Sequence, residues 1–464
     1  MKTPEQTLSF SEACRISGPL NFNLMFKPAG SRCNMDCDYC YYLDKSEIYG
    51  GHEPRISEGQ LERLMARYIE TCETDTVNFI WHGGEPLVCG LPFFRKASEF
   101  GRKHAGGKTI THTLQTNGTL ITDEMAAFFA GEGWLLGVSI DGPREVHDAY
   151  RRFRGGAPTF DKVVAGIERL WRRKVEYNLM ATVNKASEGR GAEVYTFLKT
   201  LGTRFIQFSP VLERTVCPDG GRPRIVSPEY PGALSAGSGA PGALSAGSGA
   251  PGVEVAGHGA REALSAGSGA PGVEVARSGV PGAEEAAGSE ALRAQVAPWS
   301  VGAEAYGDFL CDVFDLWAAT DVGKFFVTNF EETAANICGV MPCSCTSARA
   351  CGGNAVCEHN GDVYCCDHYV FPEYKLGNIF TSGLRELMLS DKQVAFGNAK
   401  TSGLAPECLR CRWLHLCNGG CPRQRLSAAP SGAMINSFCP AMRRYFAHAE
   451  EPLRRICREL GLIA

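Results

Sequence analysis

The 464-residue chain has no apolar run long enough to cross a bilayer, and its opening MKTPEQTLSFSEAC lacks the apolar segment of an export signal. A soluble, cytoplasmic protein with no membrane partner is therefore expected. A dominant charge is missing too: 47 Lys and Arg against 51 Asp and Glu leave a net charge of -4, which offers no general attraction to nucleic acid. Apolar residues are not scarce, since 44% of the chain is hydrophobic and only 21% charged. Disordered and collagen-like chains are excluded, and the length suits two domains.

What the chain has in abundance is cysteine, and the number is odd: 21, of which 13 lie from Cys338 onward and three fall together at Cys33, Cys37 and Cys40. An odd total, a long chain and no export signal argue for metal ligation over a disulfide framework. Aromatics are absent from residues 231–290, where 15 Gly and 15 Ala accompany a ten-residue repeat of the form PGALSAGSGA. Such a segment cannot bury enough apolar area to offset the entropy of ordering, so it is expected to be a linker or exposed loop. Its Gly237-Ser-Gly239-Ala-Pro-Gly242 formally matches a dinucleotide fingerprint, but no strand precedes it and Pro241 stops the helix that should follow.

Before this segment, six strand-like runs, near residues 21–27, 77–81, 109–115, 135–140, 176–183 and 204–211, alternate with amphipathic helical stretches. The stretch from Glu58 opens on a Ser57-Glu-Gly-Gln60 capping box, and the stretch from Phe160 puts Val163, Val164, Ile167 and Leu170 on one face. Strict alternation implies parallel strands with helices outside, either an open partial barrel or a doubly wound sheet. Both place chemistry at the C-terminal strand ends.

Cys33-Asn-Met-Asp-Cys37-Asp-Tyr-Cys40 lies in the loop after the first strand. Three thiolates on an iron-sulfur cubane leave one iron open, whereas a structural zinc site needs a fourth ligand, for which His52 or His82 is available. The Cys-x3-Cys-x2-Cys loop, followed after strand two by Gly83-Gly84-Glu85-Pro86, resembles the radical S-adenosylmethionine enzymes. The resemblance implies that the open iron holds the amino and carboxylate groups of S-adenosylmethionine and that the backbone of Gly83, Gly84 and Glu85 meets the amino group. It further implies that Tyr39 lies against the adenine, that Ser139 and Arg151 hold the ribose and carboxylate, and that Leu212 closes the pocket. Arg152 and Arg154 compete with Arg151 for its role.

Toward the C-terminus, Cys345, Cys351, Cys366, Cys408, Cys411, Cys417, Cys421 and Cys439 stand at spacings that resemble the SPASM extension with its two auxiliary 4Fe-4S clusters. A treble-clef or ribbon zinc module is the alternative. The family pattern gives Cys345, Cys351, Cys366 and Cys421 to one auxiliary cluster and Cys408, Cys411, Cys417 and Cys439 to the other, for three 4Fe-4S clusters in all. Cys338, Cys343, Cys357 and Cys365 fit no ligand spacing and are expected to be buried small apolar residues.

Outside the repeat the chain is similar to anaerobic sulfatase-maturating enzymes, which convert a sulfatase Cys or Ser to Cα-formylglycine. The likeness rests on Lys27-Pro-Ala, Cys40-Tyr-Tyr42, Gln115-Thr-Asn-Gly118, Asp141-Gly-Pro143, Phe205-Ile-Gln-Phe208, Phe314-Asp-Leu-Trp317 and Cys366-Asp367. It makes Asp367 the base that takes a proton from the substrate, with burial expected to raise its basicity. It implies as partners a sulfatase segment of the form Cys/Ser-x-Pro-x-Arg and a low-potential electron donor such as flavodoxin or ferredoxin. The rival readings are a SPASM enzyme that crosslinks a ribosomal peptide and a zinc-bound interaction protein. The expected organisation is a partial (β/α)6 TIM-type barrel over 1–215, a low-complexity insertion over 216–297, and a helical connector over 298–340. A cysteine-rich SPASM domain over 341–445 and a C-terminal helix over 446–464 complete it.

Overall fold

The computed structural model describes residues 22–42, 45, 55–216, 224–225 and 295–463. The first 21 residues, His52, Cys217 and the repeat at 231–290 lie outside the described residues. Six strands, β1 (Asn23–Lys27), β2 (Thr76–Trp81), β3 (Thr109–Thr116), β4 (Leu135–Ser139), β5 (Glu176–Val183) and β6 (Phe205–Pro210), pair side by side in chain order, every pair parallel. A doubly wound sheet reverses its order at a switch point. This one does not, so the fold is the partial barrel.

The intervening helices, α1 (Glu58–Thr71), α2 (Leu91–His104), α3 (Asp123–Gly131), α4 (Arg144–Tyr150), α5 (Phe160–Arg173) and α6 (Gly191–Lys199), cover the outer face of the sheet. Ser57 and Gln60 close the capping box on α1 in both directions, and α5 buries Val163, Ile167 and Leu170. Between helices and sheet, Phe79, Trp81, His112 and Trp134 stack, with Trp81 Nε1 donating to His112 Nδ1 at 3.2 Å.

The sixth unit is split. After β6 the chain forms β7 (Arg214–Val216), with β8 (Arg224–Ile225) and β9 (Gln295–Val296) antiparallel on its two sides. Only then comes α7 (Ala303–Thr320), which packs on α6 so closely that a Cβ on Gly191 would stand 2.8 Å from the Phe309 carbonyl. The segment expected as a connector thus supplies the barrel's sixth helix. β10 (Phe326–Val327) then pairs parallel with β6, and α8 (Thr328–Ile337) follows.

At the opposite edge, β11 (Asn354–Glu358) lies parallel to β1 in the register Asn23 to Asn354 through Lys27 to Glu358. β12 (Asp362–Tyr364) and β13 (Lys375–Asn378) extend it antiparallel, so one ten-stranded sheet runs from barrel into the cysteine-rich part. α9 (Asp391–Ser402) and the terminal α10 (Cys439–Glu459) complete the fold, α10 packing along α7. No helix among the described residues is long and apolar enough to cross a membrane.

Candidate active site

The site lies where the C-terminal ends of β1 to β6 meet the loops beyond β11. The loop after β1 is clamped to the segment after α4: Asp36 N donates to Arg152 O at 2.8 Å and Asp38 N to Tyr150 O at 3.1 Å. Cys33, Cys37 and Cys40 are electrostatic neighbours there, and burial pushes the Cys33 thiol up to about 12. Burial raises the Cys37 thiol likewise, and thiols driven toward protonation fit a positively charged iron cluster, which would hold them as thiolates. Gly83 and Gly84 are fastened to the same loop: Gly84 N donates to Gly30 O at 2.8 Å and Glu85 N to Arg32 O at 2.9 Å. A Cβ on Gly84 would stand 2.6 Å from the Ser31 carbonyl oxygen, so only glycine permits the approach. The Glu85 carboxylate faces away, accepting from Leu87 N at 2.9 Å, Thr116 Oγ1 at 2.8 Å and Asn117 N at 2.7 Å, while burial pushes its pKa up to about 7. It braces the ends of β2 and β3, leaving its backbone to the pocket.

Of the three neighbouring arginines, Arg151 is buried while Arg152 and Arg154 are exposed. Arg151 Nε donates to Asp141 Oδ1 at 3.0 Å, and its guanidinium lies 5.4 Å from the Tyr39 ring. The Tyr39 hydroxyl donates to the other oxygen of Asp141. Burial disfavours the Arg151 charge, but Asp141, Tyr39 and Cys37 outweigh it, and the guanidinium stays firmly protonated. Ser139 Oγ accepts from Gln115 Nε2 at 3.0 Å, and Leu212 is buried just beyond β6. Trp299 packs in one apolar cluster with Met35, Cys37 and Tyr39, and among the described residues its buried Nε1 has no hydrogen-bond partner. An orphaned indole N–H beside the three cysteines suits a pocket that takes a further group.

The remaining cysteines separate into two sets of electrostatic neighbours. Cys345, Cys351, Cys366 and Cys421 form one, and Cys408, Cys411, Cys417 and Cys439 the other. None of the eight forms a disulfide. Of the cysteines expected to be buried, Cys357 and Cys365 are, whereas Cys343 is exposed and Cys338 half-buried beside Cys457.

Asp367 follows Cys366 and is the point where the two halves meet. Its Oδ2 accepts from Tyr41 Oη at 2.7 Å and lies 3.8 Å from Lys27 Nζ, and His368 Nε2 is 3.9 Å from Oδ1. Lys27 Nζ is also 3.1 Å from His82 Nδ1, which accepts from Gly83 N at 2.7 Å. Burial alone raises the pKa of Asp367, as the sequence suggests, but His368, Lys27, His82 and the Tyr41 hydrogen bond together hold it well below the usual carboxylate range. The expectation of raised basicity is therefore corrected: Asp367 is an anion braced by donors. Sequence reasoning passed over Lys27, Tyr41 and Asp141 as functional groups. A signal existed for Lys27, a lysine closing an apolar strand at the chemical end of the barrel.

The comparisons with known proteins agree with this geometry. Residues 28–197 match the radical SAM superfamily model, and residues 340–412 match an iron-sulfur cluster-binding domain, SPASM. A serine-type anaerobic sulfatase-maturating enzyme of Bacteroides thetaiotaomicron is 38% identical over 439 residues, covering 94% of this chain and 91% of that protein. The chain belongs to the anaerobic sulfatase-maturating enzymes. A cysteine-type member of that family from Clostridium perfringens is 27% identical over 435 residues, covering 92% of this chain and 96% of that one. The solved structure of native anSMEcpe with bound AdoMet and Cp18Cys peptide superposes with a TM-score of 0.71 at 26% identity, covering 94% of this chain and 99% of that chain. SuiB of Streptococcus suis, bound to its precursor peptide SuiA, shares the fold alone, at 12% identity and a TM-score of 0.53 over 92% of this chain and 78% of that chain.

Proposed function

We propose that this radical SAM enzyme oxidises the β-carbon of a Cys or Ser in a Cys/Ser-x-Pro-x-Arg segment of a sulfatase to Cα-formylglycine, with Asp367 as the proton acceptor. The observation that carries the reading is the anionic Asp367, held by Tyr41 and Lys27 at the junction of the first cysteine loop and the auxiliary set. Cys33, Cys37 and Cys40 would hold the cluster that binds S-adenosylmethionine, and the two sets of four would hold one 4Fe-4S cluster each. With S-adenosylmethionine bound, that first centre supplies a radical able to take hydrogen from an unactivated carbon.

The chain's own residues do the rest. Arg151 and Tyr39, fixed by Asp141, and Ser139, fixed by Gln115, line the cofactor pocket, which Leu212 closes. The glycine backbone at 83 and 84 approaches because no side chain intervenes. The oxidation removes a hydrogen atom from the β-carbon, a proton from the thiol or hydroxyl, and one electron; Ser gives the aldehyde directly, whereas Cys gives a thioaldehyde that water converts to formylglycine with release of hydrogen sulfide. Asp367 Oδ1 or Oδ2 receives the proton, and its anionic state before reaction leaves it ready to accept. This electron would pass to the clusters that the two sets of four cysteines would hold, and a low-potential protein of the flavodoxin or ferredoxin class would supply the reducing electron that starts each cycle.

The test is an anaerobic reaction of the iron-loaded enzyme with S-adenosylmethionine, a low-potential reductant and two peptides, Cys-x-Pro-x-Arg and Ser-x-Pro-x-Arg. Mass spectrometry should find formylglycine in at least one peptide together with 5'-deoxyadenosine. Deoxyadenosine with both peptides unchanged would reject the substrate assignment.

A further inference from the structure

Two cations stand between the auxiliary cysteine sets. Lys400, on α9, is fully buried, and its Nζ donates to the carbonyls of Cys345 at 2.6 Å and Thr346 at 3.0 Å and to that of Ala348. Arg425 donates through its two terminal nitrogens to Lys400 O at 2.5 Å and Gly403 O at 3.0 Å. A lysine without solvent ordinarily has a carboxylate beside it, because a buried charge is costly unless it is paired. Among the described residues neither Lys400 nor Arg425 forms a salt bridge with a carboxylate.

Their charged neighbours are thiols instead. Burial on balance lowers the Lys400 pKa, and the groups that work against this are Cys351, Cys345 and Cys421 from one set and Cys417 from the other. Arg425 has the same double allegiance, to Cys408 on one side and Cys351 and Cys421 on the other. Carbonyl oxygens solvate the ammonium without neutralising it. The compensating charge must therefore come from the cysteine sets, which are anionic when they hold iron-sulfur clusters.

We infer that Lys400, seconded by Arg425, is a fixed positive charge placed between the two auxiliary clusters that raises the potential at which they take up an electron. The inference rests on the proposal that each set holds one 4Fe-4S cluster. It adds a role for residues that touch neither substrate nor S-adenosylmethionine: they tune the acceptor side of the oxidation. Charge and hydrogen bonding around a cluster are the protein's means of setting its potential.

The test is a potentiometric titration of the anaerobically loaded holoenzyme, followed by electron paramagnetic resonance, for wild type, Lys400→Met, Lys400→Arg and Arg425→Met. Iron per chain is measured in the same samples. At a fixed potential near the auxiliary midpoints, Lys400→Met should lower the ratio of reduced to oxidised auxiliary clusters about tenfold, equivalent to 59 mV for a one-electron couple. The cluster at Cys33, Cys37 and Cys40 serves as the internal reference and should not move. Lys400→Arg should restore most of the shift. Should Lys400→Met fail to load iron, Arg425→Met decides, with a shift in the same direction supporting the inference and none overturning it. Midpoints unmoved in a fully loaded Lys400→Met enzyme would overturn the inference alone. Wild-type protein with iron for only one cluster would overturn the cluster reading and this inference with it.

Discussion

Tyr41 and Asp367 are 326 residues apart in the chain, yet the tyrosine hydroxyl sits 2.7 Å from a carboxylate oxygen of the aspartate. One comes from the loop carrying the first three cysteines, the other from the loop carrying Cys366. The position of the proposed proton acceptor is thereby set by the loop that carries Cys33, Cys37 and Cys40. Asp367→Asn should lower formylglycine formation by about 10²- to 10⁴-fold, the usual worth of a general base, while 5'-deoxyadenosine is still released. Tyr41→Phe should lower it less, because Lys27 and His368 still hold the carboxylate. Equal loss of both products in Asp367→Asn would sink the assignment.

Arg151 and Arg152 make a matched pair for the second prediction. Removing Arg151 leaves Asp141 buried at 1% exposure without its cation, which costs about 3–5 kcal/mol in comparable buried pairs. Arg151→Met should therefore lower unfolding stability and weaken S-adenosylmethionine binding. Arg152→Ala should change stability by about 0.5 kcal/mol or less, as exposed substitutions do. Denaturant unfolding and equilibrium binding on the two variants check both statements.

Gly84→Ala tests the seam between the cysteine loop and the strand-two turn. The added methyl meets the Ser31 carbonyl oxygen at 2.6 Å, and Ser31 is backbone that cannot yield without moving the loop toward Cys33. Iron content and visible absorption should fall at the first cluster while the auxiliary signals persist. A fully loaded Gly84→Ala protein would show that the loop has more freedom than its hydrogen bonds imply.

Acid stability follows from His112, whose pKa burial lowers from 6.5 to about 3 amid the aromatic stack. The folded protein keeps this ring neutral while the unfolded chain protonates it below 6.5, so stability present above that pH is lost as pH falls toward 3. The slope from one such group is about 1.4 kcal/mol per pH unit. His112→Gln keeps an acceptor for Trp81 and removes the titration. Anaerobic urea unfolding between pH 5 and 7 should show a shallower pH dependence in the variant, by about that slope.

Much of this architecture was legible beforehand. Period-two alternation in Glu-Tyr-Asn-Leu-Met-Ala-Thr-Val places β5 residue for residue, and the capping box at Ser57 fixes the start of α1. The division of the eight cysteines into two sets comes from the family resemblance, because Cys366 and Cys421 are far apart in the chain and spacing alone does not join them. Other features depend on which groups face one another across long separations, and spacing is silent about that. Asp367 shows the consequence: burial can be read from its apolar neighbours, but the groups that reverse its effect arrive from β1, the turn after β2 and the residue beside it. Lys400 sits in a helix with no clear apolar stripe, so nothing in its local pattern marks it as buried. The helical segment expected from residue 298 contains α7, but a repeat between a strand and its helix hides the partnership of β6 with α7.

The pairing of β1 with β11 bears on how the protein is made. Among the described strands β1 comes earliest in the chain, and Asn23 waits for Asn354, 331 positions later. Until then one margin of the barrel carries unpaired backbone donors and acceptors, a surface open to association with other chains. Yield in a foreign host is therefore governed by how long nascent chains remain in this half-finished state. Slower synthesis should lengthen that exposure, while chaperones that cover strand margins should relieve it.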